Sequence, residues 1–181
     1  MSFYADVICK SPLFKTTQVV KDLAMLEPFT RAAVLAIIRD AAALGHDVRV
    51  SETYRSCERQ AYLYRRGATK LKAVGCHHYG IAADLGIWDG GKYDPNGEHY
   101  RILVPIIEKH GLISGWDWGE PKKPHTFRDA GHVQRVAIAR QPKLFAGAWY
   151  PDPSYSVLAD LGRAPAVMVA SAVKSPPKRE V

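Results

Sequence analysis

The segment Ile81-Ala82-Ala83-Asp84-Leu85-Gly86-Ile87 is apolar except for one carboxylate. Its length and aliphatic content read as a buried strand. A carboxylate inside such a strand is costly unless it is paired, hydrogen-bonded or bound to a metal. Any fold of this chain must therefore supply Asp84 with partners. His77 stands seven residues upstream, and Gly80 between them permits a tight turn. Ala82 leaves room for a metal or a substrate. A nearby arginine or backbone amides would satisfy Asp84 as well, so this segment alone leaves the partner open.

Two further clusters narrow the choice. In Asp129-Ala130-Gly131-His132 a histidine follows a carboxylate by three residues, and Gly131 makes a turn between them easy. In Glu52-Thr53-Tyr54-Arg55-Ser56 an arginine sits where a strand ends and a helix begins. There Arg55 meets a carboxylate or a developing oxyanion, or else pairs with Glu58 or another acid. Catalytic zinc takes three protein ligands and keeps one position open for water. His77, Asp84 and His132 supply such a set. Asp129 is then left as a carboxylate able to take a proton from water activated there. The HExxH zinc-binding helix is absent. Spacing to Gly80 and Asp84 favours His77 over its neighbour His78, and Cys76 is not expected to compete for the metal. His125 lines a cleft or sits on an exposed loop. Trp116 and Trp118 wall a cleft or pack in the core.

The rest of the chain suggests the frame. At 181 residues it suits one compact domain. Pro28 opens a helix over Phe29 to Leu44, with Ala33, Ile37, Ala41 and Leu44 on one face and Gly45 as its stop. Val48 to Ser51 alternates as a short strand. Ser56 caps a helix to about Arg66, ended by Gly67. A third helix runs from about Ile102 to Gly111, with Pro105 disturbing its start. Leu112 to Ser114 and part of Gly131 to Ile138 read as strands. Residues 1–27 resist placement. Helices and short strands without a βαβ rhythm point to an α+β fold. The domain is expected over 1–139, followed by a proline-punctuated extension over 140–181, partly ordered or tail-like, with a solvated end over 174–181.

A net charge of +7 favours an anionic partner without choosing one. No stretch approaches the ~20 apolar residues of a membrane span. Cys9, Cys57 and Cys76 form no pairing framework, which suits free thiols in a reducing compartment. The first residues lack a basic segment followed by an apolar one, so no signal peptide is expected.

These pieces resemble a known family. His77-x-x-Gly80-x-Ala82-x-Asp84 matches the HxxGxAxD zinc signature of the M15 peptidoglycan peptidases, and Asp129-x-x-His132 resembles their second signature. Tyr54-Arg55-Ser56, with Arg59-Gln60 and Leu63-Tyr64, resembles the segment upstream of the metal site. Gly115-Trp116-Asp117-Trp118 ahead of Phe127-Arg128-Asp129 resembles the endolysin branch. The likeness covers about 48–136. It implies a small α+β domain like that of hedgehog-type and D-Ala-D-Ala peptidase proteins, with a short, mainly antiparallel sheet flanked by helices. It implies one Zn2+ on His77, Asp84 and His132. Asp129 would be general base and then general acid, and Arg55 would polarise the scissile carbonyl or hold a substrate carboxylate. Tyr54, Gln60, His125 and Trp118 are the expected substrate contacts. Two departures stand out: Gly75 replaces a frequent Ser, and Asp129 replaces the Glu of the dipeptidase branch, leaning toward the endopeptidases.

The implied activity is hydrolysis of peptidoglycan stem peptides by an L-alanyl-D-glutamate-type endopeptidase. A D-Ala-D-Ala carboxypeptidase and a non-catalytic zinc-containing binding module are the alternatives. A monomer is expected, with peptidoglycan peptides as partners and no nucleic acid, since no nucleic-acid motif occurs. The protein would be made in the cytoplasm and act on the cell wall after release through a holin or delivery by a secretion apparatus.

Overall fold

A computed structural model describes residues 2–69 and 71–163. Residues 164–181, with the solvated end expected over 174–181, lie outside the described residues. The α+β expectation holds. A five-stranded antiparallel sheet has the order β1-β2-β5-β4, from Asp47–Glu52 (β1), Ala82–Asp89 (β2), His132–Gln134 (β5) and Ile113–Ser114 (β4). Lys92–Tyr93 (β3), which the sequence reading did not foresee, returns on β2 as a hairpin. Among the described residues six helices flank it: Phe3–Asp6 (α1), Pro28–Ala43 (α2), Cys57–Arg65 (α3), Val104–Lys109 (α4), Gln141–Phe145 (α5) and Val157–Asp160 (α6).

Local chemistry sets these boundaries. The Glu27 carboxylate accepts from Thr30 N at 3.0 Å and caps α2, with Pro28 in its first turn. Thr30, Ala33, Val34, Ile37 and Ala41 face the sheet. Leu44, expected on that face, is 66 % exposed, because the helix has ended and the chain is already turning at Gly45 (φ +87°). Ser56 Oγ accepts from Arg59 N at 2.9 Å and starts α3. The expected third helix is split: a 3₁₀ segment, Gly97–Leu103, precedes α4, whose first turn holds Pro105.

The pleat of β2 divides core from chemistry. Ala83, Leu85 and Ile87 pack with Val48, Val133, α2 and Leu103, Ile106 and Ile107 into the main core. Ala82 and Asp84 alternate to the other face. Asp84 lies directly opposite His132 of β5. An irregularity between Val50 and Glu52 in β1 brings Glu52 opposite Asp84 on its other side. Residues 141–163 pack on this domain. Leu144 is buried with Ile81, Ala82 and Val136, while Val157 and Leu158 are buried with Ile113 and Ala137. The fully buried Arg135 pairs with Glu27 (2.9 Å) and donates to Asp152 O (2.5 Å).

Candidate metal centre and its cavity

Three side chains from two strands and a turn meet at one point. His77 comes from the 3₁₀ turn Cys76–Tyr79, which ends at Gly80. Gly80 has φ +69°, and a Cβ there would lie 2.6 Å from Met25 O, so both turn and packing require glycine. Gly131 is needed for a different reason than the turn expected of it. Its φ is not in the left-handed region, but a Cβ would collide with the Leu85 carbonyl that β2 presses against it. Asp84 Oδ1 lies 3.1 Å from His77 Nε2 and 3.1 Å from His132 Nδ1, and the two ring nitrogens are 3.2 Å apart.

The outer nitrogens are occupied. His77 Nδ1 donates to Thr53 O at 2.9 Å, and His132 Nε2 donates to Gln134 Oε1 at 3.0 Å. Each neutral imidazole then turns a lone pair inward, toward a carboxylate oxygen that only accepts. Three acceptors facing one another repel unless a cation or a proton lies among them. The triangle also has the right size. Ligands of a tetrahedral zinc ion with bonds of ~2.0–2.1 Å stand about 3.3 Å apart. The donor set, two imidazoles and one carboxylate with buried outer hydrogen bonds, fits a divalent ion of the borderline type. Burial alone would raise the Asp84 carboxyl. With a proton rather than a cation among the three, His77 and His132 overcome it and hold Asp84 well below the usual carboxylate range. Burial would likewise lower His132, and Asp84 with help from Asp129 lifts it above the ordinary imidazole value.

Behind Asp84 runs a chain of alternating charge. Arg55 Nη2 donates to Asp84 Oδ2 at 2.9 Å, and its Nε donates to Glu52 Oε2 at 2.9 Å. Glu52 Oε1 accepts from Arg59 Nε at 3.0 Å. Sequence reading left the acid that Arg55 meets open; it is Glu52 and Asp84 together. The missed Glu52 is buried, and only the irregularity in β1 puts it beside Asp84.

Two corners of the triangle, His77 and His132, line the floor of a cavity of about 480 Å³. Asp129, Arg55, Gln60, His125 and Trp118 border it together with His77 and His132. Asp129 is exposed, and its carboxylate is close enough to act electrostatically on both Arg55 and His132. Trp118 holds a left-handed backbone (φ 53°), stacks on Phe127, and donates from Nε1 to Phe127 O at 3.1 Å. Gln60 is buried and donates to Leu71 O at 2.6 Å; His125 Nε2 donates to Glu120 O at 2.9 Å. Tyr54 is not brought to the cavity. It is fully buried among Ile8, Val20 and Met25, with its hydroxyl donating to Phe14 O at 2.8 Å. Ala82 is core too, packed against Val136 and Leu144. His78 points away to Tyr4, whose hydroxyl lies 2.8 Å from its Nε2.

No protein-family model matches the chain. Over 127 residues it is 28 % identical to the peptidoglycan L-alanyl-D-glutamate endopeptidase CwlK of Bacillus subtilis (strain 168), covering 61 % of this chain and 74 % of that protein. Among solved structures, the L-Ala D-Glu endopeptidase ChiX of Serratia marcescens shares the fold. Its TM-score is 0.51 at 19 % identity, over 68 % of this chain and 92 % of that one. The chain resembles the M15 peptidases in sequence and fold. The expected resemblance to M15-type peptidases, first carried by HxxGxAxD, is thus borne out. A looser match is the vancomycin-resistance D,D-pentapeptidase VanY of a VanB-type cassette, in complex with Zn(II) (TM-score 0.47, 17 % identity, 67 % of this chain and 78 % of that one).

Proposed function

We propose that this chain is a zinc-dependent peptidase that cuts peptidoglycan stem peptides at the L-alanyl–D-glutamate bond. The observation that carries the reading is the triangle of His77 Nε2, Asp84 Oδ1 and His132 Nδ1, three acceptors 3.1–3.2 Å apart, two of them on residues that line a cavity with Asp129 on its wall. A zinc ion held by these three residues would supply Lewis acidity and lower the pKa of water at the site. Asp129 takes the proton from the attacking water and delivers it to the leaving amine as the C–N bond breaks. Its exposure supports this role, because a proton carrier must reach water and substrate. Arg55 first orients Asp84 through Nη2. Its Nη1, which takes part in none of these bonds, is the nitrogen left for a substrate carbonyl or carboxylate. Trp118 and Phe127 offer a stacked apolar wall, with Gln60 and His125 on the same cavity as the other substrate contacts.

The likeness to CwlK and ChiX, both L-alanyl-D-glutamate endopeptidases, and Asp rather than Glu at 129 support the bond assignment. The cell wall is the proposed site of action. Among the described residues no helix is long and apolar enough to cross a membrane.

Digestion of purified muropeptides by the zinc-loaded protein, with products weighed by mass spectrometry, tests the reading. Cleavage between L-Ala and D-Glu is expected. Release of terminal D-Ala alone would make the protein a carboxypeptidase, and intact muropeptides with zinc bound would make it a non-catalytic module.

A further inference from the structure

The two imidazoles turn different nitrogens inward: His77 presents Nε2 and His132 presents Nδ1. For His77 a backbone carbonyl, Thr53 O, fixes the choice. For His132 it is a side chain. Gln134 stands two residues further along β5, on the same face as His132, and is 1 % exposed. Its amide has one workable orientation. Nε2 donates to the Val136 carbonyl, so Oε1 must be the atom facing His132 Nε2 at 3.0 Å. Flipping the amide would set oxygen against oxygen at Val136. An amide oxygen only accepts, so the His132 proton must sit on Nε2 and the lone pair on Nδ1.

A second glutamine holds the first. Gln141, the opening residue of α5, donates from Nε2 toward Gln134 Oε1 at 3.4 Å and toward Cys76 Sγ at 3.5 Å. It comes from the segment after 140, which the family resemblance does not cover.

We propose that Gln134 is a positioning residue that locks His132 in the Nε2–H tautomer and so offers Nδ1 to the metal, with Gln141 bracing it. The segment after 140 is thereby part of the support of the metal site. This inference rests on the zinc reading given above. Partners of this kind, behind a ligating histidine, typically change metal affinity by 10–100-fold when removed.

The test measures zinc affinity by competition with a chromogenic chelator, on the full chain. Gln134→Leu removes the acceptor at similar volume and is expected to weaken zinc binding by about 10-fold or more, and to lose the preference for a proton on His132 Nε2 in the metal-free protein, read by long-range proton–nitrogen NMR. Gln141→Ala has a smaller effect in the same direction. Affinity unchanged in Gln134→Leu overturns the inference, as does weakening with the His132 proton still held on Nε2 in the metal-free variant, which would mean packing rather than acceptance. A parent protein that binds no zinc overturns the zinc reading itself and this inference with it. Should Gln134→Leu fail to fold, long-range proton–nitrogen NMR of the metal-free parent decides the matter. A proton on His132 Nε2 is expected, and a proton on Nδ1 contradicts it.

Discussion

At the floor of the cavity, His77 and His132 and the Asp84 that meets them both are each gripped from behind, by Thr53 O, Gln134 and Arg55 respectively. On the wall, Asp129 is exposed, and among the described residues no hydrogen bond reaches its carboxylate. Only its backbone is fixed, with N donating to Gly115 O at 2.9 Å and O accepting from His132 N at 3.0 Å. The difference matches the two tasks proposed for these residues. Metal ligands must keep a fixed geometry, and the orientation of these three is over-determined, with both histidines buried. A carboxylate that carries protons must exchange with water, so it is anchored through its main chain and left free at its tip.

The largest effects are expected on the floor. Asp84→Ala removes one ligand and leaves Arg55 and Glu52 without the carboxylate between them and the histidines. Stoichiometric zinc binding and hydrolysis should both be lost in equilibrium dialysis and muropeptide assays. Retained zinc would take Asp84 out of the site. On the wall, Asp129→Asn should lower the rate by about 10²–10⁴-fold, the range of general acid–base catalysis, with zinc still bound. Its melting temperature should hardly move, because surface changes of this kind stay within about 0.5 kcal/mol. A variant that hydrolyses normally would remove Asp129 from the chemistry.

Glu52→Gln should act the other way round, on stability before chemistry. Breaking a buried pair by removing one partner costs ~3–5 kcal/mol, and about 2 kcal/mol is expected here because Arg55 and Arg59 keep some contact with solvent. Urea denaturation reads this directly, and an unchanged midpoint would show that Arg55 is held by Asp84 alone. The smallest effect concerns thiols. Cys76 borders the cavity, yet burial pushes its thiol up to about 12, whereas Cys9 and Cys57 are exposed. Alkylation of the native protein at pH 8 should modify Cys9 and Cys57 and spare Cys76. Rapid labelling of Cys76 would mean the floor is open to solvent.

Much of this contrast was legible in the chain, and the exceptions have physical causes. A lone carboxylate in an apolar strand announces that something must meet it, and Asp84 does meet two histidines and an arginine. The glycines were visible as glycines, but not the reason for Gly131, since close approach to Leu85 O is a property of strand packing. Glu52 was hidden because strict alternation along β1 puts it on the wrong face; one irregular residue reverses that. Gln134 looked like any polar residue in a short strand, and its role depends on which nitrogen His132 turns inward. The aromatic ring of Tyr54 sits next to Arg55 in sequence, yet the chain turns there and buries it in the core. Residues 141–163 gave no periodicity because their helices are one turn long, although Leu144, Val157 and Leu158 anchor them firmly.

The most direct measurement is a crystal structure of the zinc-loaded protein with anomalous data at the zinc edge. The expected result is one peak at ~2.0–2.2 Å from His77 Nε2, Asp84 Oδ1 and His132 Nδ1, with a fourth position open toward the cavity. A peak elsewhere, or none at full zinc supply, would contradict it.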